Sequence, residues 1–266
     1  MQPILIDAAE VSRWVVRLWW PVLRVGGFVL AAPIASESIV PKTVKIGLSL
    51  ALAFILAPLA SAPQGLSIFT AAGAVAALQE VLIGIAIGMV VQLAFEAFAF
   101  AGQSISTTMG LGFATLVDPQ HGADTPMLGQ LFTIFGTLAY LAVNGHLVLI
   151  GALATSFKSL PIAGTHVDES LLWSIAAWGA RVFETGLLIA LPAVTAMVIV
   201  NLALGVVTRA APQLNLFGIG FTITLLSGFL VLIIGLDGLT AGISGLIDGA
   251  LSQVADLVAA PAGTVR

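Results

Sequence analysis

Long apolar runs separated by short polar breaks dominate the chain. A membrane-spanning helix needs roughly 20 apolar residues, and about six runs approach or exceed that length. Proline, glycine and asparagine stand at the breaks between the runs. Asn144, Gly145 and His146 interrupt the fourth run, and Pro192 and Asn201 are expected to bend or break the fifth. The pattern predicts an all-α fold of long, kinked helix hairpins of the integral-membrane type. The runs are residues 14–35, 46–62, 68–100, 125–157, 171–207 and 217–236.

The third run carries a regular stripe of small and polar residues. Glu80, Gly84, Gly88, Gln92 and Glu96 follow one another at intervals of four, which places them along one slowly winding line of a helix. The two glycines form a GxxxG pair, which lets a second helix backbone approach closely. Because GxxxG is a weak motif in apolar sequence, an ordinary helix-packing face is the simplest interpretation.

Glycines recur from the end of the sixth run into the tail that follows it, at alternating spacings of three and four residues. Each interior glycine costs a helix about 1 kcal/mol relative to alanine, so a regular set implies that another helix packs against it. We therefore predict a helix-packing seam at Gly235, Gly238, Gly242, Gly245 and Gly249.

Residues 102–130, between the third and fourth runs, form a polar segment that resembles neither an apolar run nor an ordinary solvent loop. Asp118, His121 and Asp124 lie three apart and could suggest a metal site. The prolines and glycine among them preclude the continuous helix that would bring them to one face, so we predict no metal ion. An N-cap residue just before Pro126, which then opens the fourth helix, explains this part better.

Composition assigns the chain to the membrane class. Hydrophobic residues make up 59% of the 266 residues and charged residues 8%, whereas soluble domains average about 25% charged residues; the mean hydropathy is +1.12. The net charge of −4 and nine scattered basic residues provide no face for nucleic acid. The chain has no cysteine, and its first residues lack the basic region of a cleavable signal peptide.

Charges inside the apolar runs require partners, because a central charge costs about 2.5–3.5 kcal/mol on insertion scales. Arg181 and Glu184 can neutralise each other on one helix face, while Glu80 and Glu96 are expected to pair with Arg181, Arg209 or partner subunits. The basic residues also favour opposite orientations for six spans. We therefore predict an obligate member of a larger assembly. Charges lie within or at the edges of the runs at Arg17, Arg24, Glu80, Glu96, Arg181, Glu184 and Arg209.

A proline-containing break separates the fifth and sixth runs. Pro212 ends one helix and frees backbone groups that Gln213 and Asn215 can satisfy. The full set of predicted buried-charge and packing positions is Glu80, Gly84, Gly88, Glu96, Arg181, Glu184, Arg209, Pro212, Gln213 and Asn215.

The sequence offers no support for an enzyme. It contains neither a cysteine nor a GxSxG motif, and its histidines lack suitably placed partners for nucleophilic catalysis. His146 is expected to have a structural role at the break in the fourth run. A stand-alone secondary transporter, with Glu80 and Glu96 as proton-relay carboxylates on broken helices, is the runner-up function. We predict no catalytic residues and no cofactors.

Two stretches point to a family. They are GQSISTTMGLGFATLVDPQHGADTPMLGQLF, with NGH downstream, and RAAPQLNLFGIGF near the C-terminus. Together with the length and the order of the apolar runs, they resemble the flagellar FliR family of type III export-gate subunits. VDPQ, LGQLF and PQLN favour the flagellar branch over the virulence-secretion branch, which is the alternative.

The resemblance implies an export-gate subunit of the bacterial inner membrane and the flagellar basal body. It implies FliP-like and FliQ-like partners, packed with the chain into a helical cone largely above the membrane plane, and a FliB-type (FlhB-like) switch subunit, the export platform, membrane lipid and unfolded exported proteins in transit as further contacts. Residues 1–266 would form one export-gate domain, with about 1–175 resembling one partner and about 176–266 the other.

The resemblance also implies that the loop after the third run plugs the pore, at about residues 102–124. The residue types suit a seal, because methionine adapts to its contacts, glycine lets the backbone move and apolar constrictions exclude ions. The candidate plug residues are Met109, Gly110, Leu111, Gly112 and Phe113. The candidate anchor and turn residues are Asp118, Pro119, Gln120, Gly122 and Pro126.

Overall fold

The computed structural model describes residues 8–60, 66, 69–112, 127–163, 169–210 and 220–259. Within these ranges the chain forms eight α-helices and no strand, so the prediction of an all-α fold is confirmed. The helices are α1 (Ala8–Ala31), α2 (Lys42–Leu56), α3 (Ala71–Thr108), α4 (Met127–Ala142), α5 (Gly145–Ser159), α6 (Glu169–Ala210), α7 (Phe221–Ile234) and α8 (Leu236–Ala259), with a 3₁₀ turn at Ala57–Leu59.

Three of these helices are long and apolar enough to cross a membrane, namely Lys42–Leu59, which includes the 3₁₀ turn, Ala71–Thr108 and Leu171–Ala210. The number rises to five if the pairs α4–α5 and α7–α8 each form one bent span. With 38 residues, α3 is roughly 57 Å long at 1.5 Å per residue, well beyond a hydrocarbon core of about 30 Å. The expectation of over-long helices is therefore confirmed.

The fourth run breaks where the sequence predicts. Helix α4 ends at Ala142 and α5 begins at Gly145, and Asn144 between them has a left-handed backbone with φ 55°. Asparagine tolerates this conformation better than most residues with a side chain. The fifth run behaves differently, because α6 continues without interruption through Pro192 and Asn201.

The described chain divides into two compact units that each combine distant segments. The first unit comprises Met1–Gln92, Asn144–Gly179 and Gly249–Arg266, and buries Trp20, Val25 and Phe157 among its apolar side chains. The second comprises Leu93–Val143 and Ala180–Asp248. The suggested division near residue 175, which concerns likeness to partner subunits, stays a prediction.

A close crossing of α1 and α3 lies inside the first unit. A Cβ atom built at Gly84 would overlap the backbone of Arg24 and lie 2.8 Å from the nitrogen of Phe28, and one at Gly88 would lie 2.7 Å from the nitrogen of Ala32. A side chain at either glycine therefore collides with the α1 backbone, which can give way only if the helix moves. The GxxxG pair thus forms a helix-packing face, as its simplest interpretation predicts.

Candidate functional site

The end of α3 defines the described part of the candidate plug. Leu111 N–H donates to the carbonyl of Ser106 at 3.1 Å, and Gly110 N–H donates to the carbonyl of Thr107 at 3.1 Å. Gly110 has φ 79°, so the two bonds form a Schellman motif with glycine in the left-handed position after the helix. Gly110 is therefore the helix terminator, and a residue with a Cβ atom would be strained there.

Helix α3 extends further into the polar segment than the sequence suggests. Residues 104–108, which lie in the expected plug loop at about residues 102–124, are helical. Ser104 Oγ donates to the carbonyl of Phe100 at 2.8 Å, and Thr107 Oγ1 donates to the carbonyl of Gln103 at 2.9 Å. These bonds back to the preceding turn make the hydroxyl residues compatible with a helix, so they belong to a rigid element.

The candidate plug residues do not share one environment. Met109 is completely buried, whereas Gly110, Leu111 and Gly112 are partly exposed. Met109 is thus a packing residue in this chain, and the described plug residues with exposed surface begin after it. Phe113 and all five candidate anchor residues (Asp118, Pro119, Gln120, Gly122 and Pro126) lie outside the described residues.

A buried ion pair occupies the first unit. Arg24 and Glu80 are 0% and 1% exposed, and Arg24 Nε donates to Glu80 Oε2 at 2.7 Å. Arg24 Nη2 donates to Glu80 Oε1 at 3.0 Å, which makes the contact bidentate. The structure therefore pairs Glu80 with Arg24 on α1, in place of Arg181 or Arg209.

All five N–H donors of the Arg24 guanidinium have an acceptor. Besides the carboxylate of Glu80, the group donates to the carbonyl and hydroxyl of Ser156 at 2.7 and 3.2 Å and to the carbonyl of Leu160 at 2.8 Å. The Phe157 ring lies against it, with 4.5 Å between Cζ and the ring centroid. Arg24 thereby caps the C-terminal end of α5, where positive charge is favourable, and joins α1, α3 and α5. A full set of acceptors is what a buried guanidinium requires.

The other predicted buried charges are placed differently. In this chain the side chains of Glu96, Arg181, Glu184 and Arg209 are exposed. Burial of these four residues in an assembly stays a prediction. Pro212, Gln213 and Asn215 lie outside the described residues.

The glycine seam of α8 divides into packed and open positions. A Cβ atom at Gly242 would lie 2.7 Å from Ile189 Cγ1, and one at Gly249 would lie 3.2 Å from Trp178 Cη2. Nothing lies within 4 Å of such an atom at Gly238 or Gly245. Gly235 lies between α7 and α8, and only carbonyls of α7 are near an atom built there. The seam is thus partly filled by α6 of the same chain, and its two open glycines face no part of the chain that the structure describes.

Sequence comparisons identify the family. The model of bacterial export proteins, family 1, matches residues 15–250. The flagellar biosynthetic protein FliR of Escherichia coli (strain K12) is 40% identical over 223 residues, covering 84% of this chain and 85% of that protein. The chain belongs to the flagellar FliR family. FliR of Pectobacterium carotovorum subsp. carotovorum is 37% identical over 232 residues, with 86% and 87% covered, and FliR of Buchnera aphidicola subsp. Schizaphis graminum is 31% identical over 214 residues, with 80% and 83% covered.

The described residues contain neither a metal-binding cluster nor a buried carboxylate without a counter-charge. Among the described residues of this FliR-family chain, no cluster of three or more histidine, cysteine or acidic side chains could hold a metal ion. Glu80 is the most buried carboxylate among the described residues. Both of its oxygens accept hydrogen bonds from Arg24, so no transport role is needed to explain its burial. The candidate site therefore consists of the apolar helix α3, which ends at Gly110, and the glycine-containing segment that follows it.

Proposed function

We propose that this FliR-family chain is a structural and gating subunit of the flagellar type III protein export channel, required for flagellum assembly and without a catalytic role. Membership of the family makes it a subunit of the flagellar export apparatus, and its long apolar helices give it a membrane location. Its place is the bacterial inner membrane within the flagellar basal body. FliP-like and FliQ-like subunits pack around it in a helical cone, with an FlhB-like switch subunit and the export platform nearby.

The loop that leaves α3 plugs the pore in this proposal. The observation that carries it is the end of α3, where a 38-residue apolar helix stops at Gly110 and releases a segment beginning with Leu111 and Gly112. A rigid helix can hold the start of such a segment at a fixed point. An apolar residue flanked by glycines can close a channel by excluding water and still move aside, because its contacts are weak and its backbone is unhindered.

Surface chemistry supports a partner-covered subunit. In the described part of α6 only 17% of the most apolar stretch is buried, and exposed charges at Arg181, Glu184 and Arg209 interrupt its apolar surface. A helix facing only lipid would carry these charges at a cost of about 2.5–3.5 kcal/mol each near the bilayer centre. Polar groups on neighbouring subunits lower that cost.

Deleting residues 111–114 tests the plug. The deletion keeps Gly110, and the backbone N–H of Thr115 takes the place of the Leu111 N–H in the cap of α3, so assembly with the partner subunits should be normal. Ion leakage through the assembled channel should rise and growth should slow, because the apolar closure is lost. Leakage is measured as ion flux in cells or vesicles, and the amount of co-purified partners controls for assembly.

Normal assembly with unchanged leakage after the deletion would mean that the loop is not a seal. A separate experiment, purification of the chain alone, tests the export proposal as a whole. If the purified chain were a stable, monodisperse monomer that moved a small solute into liposomes, it would be a transporter.

A further inference from the structure

The carbonyl groups at the end of α3 are all satisfied, and one of the bonds comes from another helix. Backbone N–H groups of Met109, Leu111 and Gly110 bond to the carbonyls of Ile105, Ser106 and Thr107 at 3.0, 3.1 and 3.1 Å. The next carbonyl, that of Thr108, accepts a hydrogen bond of 2.9 Å from Asn201 Nδ2. Helix ends otherwise leave such carbonyls to water.

Asn201 lies inside α6, where the sequence suggests a break. Its side-chain amide donates to the Thr108 carbonyl, 93 residues away along the chain. Asparagine has a low helix propensity because its side chain competes for backbone groups, and here the backbone group that it bonds belongs to α3. The residue therefore fixes α3 against α6.

Met109, the residue at the Schellman junction, fills a notch in α7. A Cβ atom built at Gly228 would overlap Met109 Cε and would lie 2.6 Å from Cγ and 2.7 Å from Sδ. Both Met109 and Gly228 are buried. Because three consecutive atoms of the methionine occupy the space in which a side chain would stand, any residue other than glycine at 228 must shift the Met109 side chain.

We propose that Met109, Gly228 and Asn201 form a latch that fixes the end of α3 to α6 and α7, so that the segment beginning at Gly110 moves from an anchored base. The inference deepens the proposed plug and rests on it. The latch holds on two sides of the junction: Asn201 bonds the last helical residue, and the Gly228 notch holds the residue after it. Motion then starts at Gly110, which adopts a left-handed backbone without strain because glycine has no side chain. The latch stays closed while the channel is open.

Gly228→Ala is the direct test of the notch. The added methyl group displaces Met109, the base of the loop loosens, and ion leakage through the assembled channel should rise several-fold toward that of the 111–114 deletion. Gly205→Ala is the matched control, because it adds the same group to a helix position outside the glycine seam with nothing within 4 Å. Asn201→Leu, which removes the donor to Thr108, should give a similar rise. Wild-type leakage in a normally assembled Gly228→Ala channel would overturn the proposal.

The pair Met109→Ala and Gly228→Ala separates the proposed contact from general damage. Met109→Ala empties the notch and should itself raise leakage. Adding Gly228→Ala to it should change nothing further, because the methyl group then enters vacant space. If the double variant raised leakage by the product of the two single rises, the residues would act independently, and the latch would be contradicted.

A cross-link tests whether the latch stays closed. The chain has no cysteine of its own, and a sulfur at residue 109 would take the place of Met109 Cγ, close enough to a residue-228 Cβ atom for a disulfide after a small adjustment. In the Met109→Cys/Gly228→Cys variant the bond should form under oxidation, and export of flagellar proteins should continue. Failure to cross-link in assembled channels, or a block of export that reductant reverses, would contradict the proposal.

Together, the deletion and the latch variants distinguish an error in the plug proposal from an error in the latch proposal. If residues 111–114 matter and the latch does not, the deletion leaks and Gly228→Ala does not. If neither leaks although both assemble normally, the plug itself is wrong.

Discussion

Arg24 shows at the scale of a residue how a charge survives in an apolar interior. Its five donors meet a carboxylate, a hydroxyl and two carbonyls, so no part of the guanidinium is left without an acceptor. The arrangement also explains why Glu80 is tolerated on a helix long enough to cross a membrane. Each group is acceptable only in the presence of the other.

Single substitutions of this pair should therefore destabilise the protein more than a double one. Glu80→Leu leaves a buried guanidinium without its counter-charge, and Arg24→Met leaves a buried carboxylate, so each should cost about 3–5 kcal/mol, whereas Arg24→Met/Glu80→Leu should cost less than either. Thermal unfolding of the purified assembly in detergent measures the difference. If the double variant were as damaged as the sum of the singles, the two residues would not depend on each other in the folded protein.

The sequence could not assign this pairing, although it identified both residues as charges needing partners. Arg24 and Glu80 are separated by 56 residues, and the choice of partner depends on how α1 crosses α3. Met109 presents the same difficulty, since nothing local distinguishes a methionine in a notch from one lining a pore. Residue chemistry shows that a partner is needed, and tertiary packing decides which one.

At the scale of an element, two neighbouring glycines of α1 offer a matched pair. A Cβ atom at Gly27 would overlap the backbone of Val81 on α3, whereas Gly26 has nothing within 4 Å. Gly27→Ala should push the two helices apart and cost about 1–3 kcal/mol, the usual penalty of overpacking. Gly26→Ala should be neutral or slightly stabilising, because alanine favours a helix. Unfolding of the assembled protein provides the comparison, and equal effects at both positions would mean that the close crossing is absent.

Helix existence was predictable here and helix ends were less so. The apolar runs locate all the described helices except α8, because backbone groups in an apolar setting can be satisfied in few ways other than a helix. Helix α8 was indicated by its regular glycine spacing. The end of α3 was placed too early because serine and threonine look like loop residues, yet their hydroxyls bond back to the preceding turn. Asn201 was taken for a break for the same reason, and its amide is used by α3 instead.

At the scale of the whole molecule, the chain leaves much apolar and charged surface uncovered. The four exposed charges at Glu96, Arg181, Glu184 and Arg209 and the two open glycines Gly238 and Gly245 are features that a lipid-facing surface alone does not explain. They were predicted as buried or packed, and the folded chain by itself does not bury them. A sequence encodes such positions for its partners as well as for its own core, so a single chain cannot satisfy all of them.

The central claim is that the loop after α3 closes an export pore made with partner subunits. A particle image of the chain co-expressed with FliP-like and FliQ-like proteins tests it most directly, because it locates the end of α3 in the assembly. We expect one hetero-oligomer in which Gly110 stands beside the central axis and the following residues cross the lumen. A chain recovered only as a monomer, or an assembly in which Gly110 faces the outer rim, would contradict the account.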